Sequence, residues 1–111
     1  MTPWQDYLMA FFAALFLTNG IPHFVHGVSG KQFPTPFSGG AGTLDSPVRN
    51  VFWGAANFAV GGVLLWAIRN SLPDWTIVVE LGVAATLGGA FLGYAFGNPE
   101  RIRRRREKKQ A

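Results

Sequence analysis

The sequence predicts an all-α membrane protein with three transmembrane helices, a Gly/Pro-rich loop after the first and a basic C-terminal tail. Two observations about composition and one about spacing predict it. Of 111 residues 49 % are apolar, which alone would not exclude a soluble fold. The apolar residues, however, gather in three stretches almost free of the ten Lys and Arg, six Asp and Glu and two His. Each stretch reaches the roughly 20 residues that a helix needs to cross the hydrocarbon layer, and turn-forming residues separate the three. A soluble domain of this size would be only marginally able to bury a core.

The spans are expected at about 4–26, 48–68 and 75–96, within a membrane domain of residues 1–99, followed by a tail over 100–111. The start, MTPWQDY, lacks the basic region of a signal peptide, and no small-residue cleavage site follows the apolar run, so the first stretch reads as an uncleaved span. The connector KQFPTPFSGGAGTLDS is too polar and too broken to cross. Its two prolines favour an extended path, with Phe33 and Phe37 dipping into the interface or covering helix ends. Asp45 or Ser46 supplies an N-cap for the second span, with Pro47 at the first helical position. RNSLPDW reads as a short turn with Asp74 capping the third span. Gly97-Asn98-Pro99 stops that span, because proline cannot continue the ladder.

Orientation follows from the basic residues. Lys31, Arg49 and the seven basic residues of the tail fall on one side and Arg69 on the other, so the N-terminus is expected outside and the C-terminus in the cytoplasm. The expected location is the inner (plasma) membrane. Trp4, Tyr7, Trp66 and Trp75 fall at one predicted surface, and Phe24, Trp53 and Tyr94 at or near the other, as interfacial aromatics do. The pI near 10.1 is a property of the tail. Arg101, Arg103, Arg104, Arg105, Arg106, Lys108 and Lys109 directly follow a span, a placement that attracts them to anionic lipid headgroups. Nucleic acid is not expected as a partner, since aromatic stacking residues are missing from the tail.

Polar groups in a span need a partner or a purpose. Asn19, His23 and His26 share one face of the first helix if that helix persists through Pro22. Asn50 and Asn57 share a face of the second, along with Gly54 and Gly61. At overlapping depths these faces are expected to meet, the glycines allowing close approach and the amides bonding across. The two histidines alone are a weak metal signal, because zinc needs three or four ligands. With no cysteine in the chain, thiolate sites and disulfides are excluded, and no metal or cofactor is expected. A proton-handling role for the histidines stays open.

Glu80 is the carboxylate within a span. At about 1.5 Å rise per residue it lies on the order of 15–25 Å from the histidines. On the third helix Gly82, Gly89, Gly93 and Gly97 cluster on one side, with Ala85 and Thr86, as a small-xxx-small packing face. Glu80 projects from the opposite side with Ala84 and Phe91. If the glycine side packs on the chain's own helices, Glu80 must snorkel to the headgroups, stay protonated or face a second polypeptide.

The run GIPHFVHGVSGKQFPTPF contributes Gly20, His23, Phe24, Val25, Gly27, Gly30, Phe33, Pro34, Thr35, Pro36 and Phe37 to one pattern. SPVRNVFWGAANFAVGG contributes Asn50, Trp53, Gly54 and Asn57 to another. Together they resemble a group of small uncharacterised bacterial membrane proteins that share a GxxHFVxGxxGxxFPTPF signature. The resemblance covers about a third of the chain and implies a membrane helix-loop-helix unit, with no activity to carry over. Small multidrug transporters differ, having four spans and a carboxylate deep in the first. No nucleophile, base and orienter set points to an enzyme. The function expected is therefore a non-enzymatic helix-packing or accessory component, self-associating or bound to a larger membrane protein. The alternative is a small oligomeric transporter or proton-coupled permease using His23, His26, Asn57 and Glu80.

Overall fold

The computed structural model describes residues 1–39, 43–97 and 107–110. Its three principal elements are α1 (Trp4–Val28), α2 (Pro47–Ala67) and α3 (Trp75–Phe96). Each is long and apolar enough to cross a membrane, which is the architecture of a multi-pass membrane protein.

Local chemistry sets the ends of these helices. α1 continues through Pro22 and closes on Gly30, whose φ of 73° lets its N–H reach Gly27 O at 3.0 Å while Lys31 N–H reaches His26 O at 2.8 Å. That pair of bonds is a Schellman ending, which needs a left-handed residue. α2 begins at Pro47, and the Ser46 hydroxyl accepts from Arg49 N–H at 3.1 Å. The Asp74 carboxylate caps α3 by accepting from Thr76 N–H at 3.0 Å.

α1 is the central helix, and α2 and α3 pack on it far more than on each other. The seam between α1 and α2 is built on glycine from both sides. A Cβ at Gly54 would lie 2.7 Å from Phe24 N, one at Gly27 2.6 Å from Pro47 O, and one at Gly61 2.6 Å from Leu17 Cγ. The backbones therefore approach as closely as helices can.

At the tryptophan end, the turn between α2 and α3 folds over α1. Ala10, Ile68 and Ile77 form a fully buried cluster there. Tyr7 OH and Thr76 Oγ1 lie 2.6 Å apart, while the Ser71 hydroxyl donates to Asp6 and the Thr2 hydroxyl to Asp74. Tyr7 thus ties α1 to α3, beyond the interfacial role its position implies.

α3 packs chiefly through Ile77 and Ala84, both buried, and its glycines make no approach as close as those of α2. Among the glycines expected to make contact, Gly82 and Gly93 would place a Cβ in open space, and Gly89 would come no nearer than 3.7 Å to Thr18. Gly97 serves as the C-cap, its N–H reaching Gly93 O at 2.8 Å. The closest approach comes from Gly88, 3.3 Å from Leu15. The small-residue face is therefore not in close contact: Gly82 and Thr86 lie away from α1, and Gly89, Gly93 and Gly97 border a groove shared with Thr18, Ile21 and Val25 of α1. Glu80 sits on the flank that faces α1, half-buried, and its Oε1 has no partner among the described residues.

The connector is not extended. Phe33 and Asp45 form an antiparallel bridge, and Thr35 to Gly39 turn back between them. Thr35 and Asp45 are each 5 % exposed, and the Thr35 hydroxyl donates to the Asp45 carboxylate. Phe33 covers the helix ends, lying against His26 and Phe96, whereas Phe37 stays exposed at the edge of Trp53.

Candidate functional site

The polar groups of α1 and α2 meet in two cross-helix pairs. Asn57 donates from Nδ2 to Trp53 O at 2.8 Å, which orients its amide and leaves Oδ1 as the acceptor for Asn19 Nδ2 at 3.1 Å. Asn50, 0 % exposed, donates from Nδ2 to Phe33 O at 2.8 Å and to Ser46 O at 3.0 Å. Its Oδ1 must then accept from His23 Nδ1, 2.9 Å away. The backbone carbonyls thereby select the Nδ1–H tautomer of neutral His23 and leave Nε2 with a free lone pair.

His26 departs from this pattern. Its Nδ1 donates to Pro22 O on its own helix at 2.6 Å, and its ring stacks on Phe33 at 4.2 Å between centroids. It serves the loop and makes no bond to α2. Asn19, Asn50, Asn57 and His23 are therefore brought together as expected, while His26 faces the connector.

The connector fixes one wall of the site. Asp45 accepts from Thr35 and from Ser46 N–H at 2.8 Å, and Arg49 approaches it at 3.4 Å. The Thr35 hydroxyl is the main cause that holds the Asp45 carboxyl below the usual carboxylate range, against the opposing effect of burial. The chain does not read as a site at Thr35 and Asp45. The one available signal is a threonine flanked by two prolines, in a loop whose only carboxylate directly precedes the cap of α2.

Two cavities open on the α1 face that carries Phe12, Phe16, Asn19 and His23. One, of about 360 Å³, lies between Phe12, Phe16, Gly88, Phe91 and Leu92, with Asn19 and Asn57 at its end. The other, of about 250 Å³, is bounded by Asn19, His23, Thr35, Trp53 and Phe96. Asn19 belongs to both. The Trp53 indole N–H beside them is buried with no acceptor among the described residues. The four phenylalanine and polar positions on α1 recur at i, i+4, i+7 and i+11, a spacing that carried this signal in the sequence.

Among the described residues no group of three His, Asp or Glu is placed to hold a metal ion. Among the described residues no hydroxyl or carboxylate bonds to His23, whose one side-chain partner is the Asn50 amide. Of the tail, Lys109 donates to Gly39 O at 2.8 Å and Thr43 Oγ1 at 3.0 Å, and Lys108 is exposed. Arg101, Arg103, Arg104, Arg105 and Arg106 lie outside the described residues.

No family model matches the chain, and neither a curated protein nor a solved structure matches it.

Proposed function

We infer that this chain is a non-enzymatic, helix-packing component of the bacterial inner membrane that self-associates through the outward face of α3. One observation carries the reading. α3 contacts α1 alone to any extent, only 11 % of its most apolar stretch is buried against 28 % in α1, and its small residues Gly82, Thr86 and Gly93 are all exposed. Glycines that admit a second backbone are what close helix association in lipid uses.

The N-out, C-in orientation belongs to the same proposal. Lys31, Arg49 and Lys109 all fall at the loop end, with Arg69 at the other, which supports a cytoplasmic loop and a tail on anionic lipid. The GxxHFVxGxxGxxFPTPF resemblance supports a bacterial membrane protein. Transport is the second reading, favoured by the polar line Asn19, His23, Asn57 in a cleft. That cleft is open on one side, so transport also requires a second copy.

Single cysteines at Gly82, Thr86 and Gly93, in a chain that has none of its own, test the proposal. Oxidative crosslinks between copies are expected at all three and absent at Ala84 and Gly54. Crosslinks to a different protein would make the chain an accessory subunit, and none at any outward position would remove the proposal. Unchanged solute or proton flux in His23→Ala proteoliposomes would dispose of the transport reading.

A further inference from the structure

We propose that the cleft between α2 and α3 is a binding site for a neutral single-chain lipid whose head is a hydroxyl. The inference concerns one chain and stands whether or not chains associate. The cleft is apolar along Phe12, Phe16, Phe91 and Leu92 and becomes polar at Asn19 and His23. Its two compartments meet at Asn19, and their volumes are of the order of small-molecule sites, about 300–1,000 Å³.

The head is identified by what the site leaves unbonded. His23 is 3 % exposed, lines the inner compartment and, among the described residues, bonds only through Nδ1. Its Nε2 is an acceptor that needs a donor. Asn19 uses one amide hydrogen on Asn57 and keeps a second hydrogen and its carbonyl oxygen. A hydroxyl answers these groups, donating to His23 Nε2 and accepting from Asn19 Nδ2 or from the buried Trp53 indole N–H, which has no acceptor among the described residues. A carboxylate or phosphate would confront the lone pair of His23 with a second acceptor. Among the described residues no cationic side chain lines the compartment to compensate for the desolvation of an anion. An ammonium group lacks a carboxylate there, because Asp45 is turned to Thr35 and Arg49.

Position separates this site from ordinary lipid contact. Pro34, Thr35 and Pro36 wall the inner compartment, so a head that reaches Asn19 and His23 lies against the connector and not against lipid alone. A phospholipid with its charged phosphate is excluded by the same cost that keeps charges out of the bilayer interior.

The test uses the full chain in nanodiscs with three diazirine probes of equal length: a long-chain alcohol, its methyl ether and the corresponding fatty acid. The alcohol is expected to label Phe12, Phe16 or Phe91 at least 10-fold more efficiently than the ether or the acid at equal concentration. His23→Phe is expected to remove that preference, and Leu92→Trp, which fills the outer compartment, to lower labelling by all three. Equal labelling by alcohol and ether would overturn the proposal without reference to any variant. Labelling spread evenly onto lipid-facing Val63 and Val83 would overturn it as well.

Discussion

The two seams of α1 use similar residues for opposite ends. Against α2, the glycines are indispensable: a Cβ at Gly20, Gly27, Gly54 or Gly61 would fall 2.6–2.7 Å from a neighbouring atom. Against α3, contact is made by Ile77, Ala84 and the flank of Gly88, while a Cβ at Gly82 or Gly93 would meet nothing within 4 Å. Among the described residues only the first seam carries polar pairs in its middle, the half-buried Asn19 with Asn57 and the buried His23 with Asn50. Glycine spacing alone therefore does not say which helix is approached. Its partner must present a backbone, and α2 does so because it carries glycines and amides in the same stripe.

Substitutions at these glycines should separate the seams. Gly54→Leu is expected to cost about 3 kcal/mol, because the atoms it meets are Phe24 N and Gly20 O, and backbone cannot move aside as a side chain does. Steric trapping in bicelles measures this. A stability within about 1 kcal/mol of wild type would show that the α1–α2 seam is looser than described.

Next in size is Asn50→Leu, expected to cost about 1–3 kcal/mol because it strands the buried His23 Nδ1–H, while Phe33 O keeps only its bond from Asp45 N–H. Asn19→Leu should cost less, since Asn19 is only half-buried and a single bond is lost. Equal losses would mean that Asn50 does not join the connector to the seam.

The connector adds a pH-dependent term to the α2 end that α3 lacks at its outward face. With the Asp45 carboxyl depressed in the folded chain, its contribution is fully present above the unfolded value near about 4 and is lost as pH falls through the folded value. Proteolysis of the connector in nanodiscs should thus be constant from pH 8 to about 5 and accelerate below about 4, a dependence that Asp45→Asn abolishes. Acceleration already between pH 7 and 6 would point to a histidine instead.

The smallest effect is expected at Gly82→Ala, within about 0.5 kcal/mol of wild type, since a Cβ there meets nothing.

These contrasts also explain what the chain reveals before its fold is known. All three helices, the Ser46 and Asp74 caps and the Asn19–Asn57 and His23–Asn50 faces are legible, because they depend on local spacing and on the absence of water in lipid. The rotation of α3 is not. Its helix is apolar nearly all round, so no polar stripe marks the side facing α1, and the glycine repeat does not mark the buried Ile77 and Ala84. The connector escapes for a related reason. FPTPF reads as extended from its prolines, and only the distant Asp45 turns Thr35 back upon it. The same distance hides the ties from Thr2, Asp6 and Tyr7 to the turn before α3.

The most direct test of the division between the seams is the monomer–dimer equilibrium of Gly93→Leu in lipid bilayers, counted by single-molecule photobleaching. The account predicts a folded protein, with wild-type resistance to unfolding, whose dimer is weakened at least about 10-fold, or roughly 1.4 kcal/mol. Undiminished dimerisation with Leu at this position would contradict it, and so would loss of the fold itself.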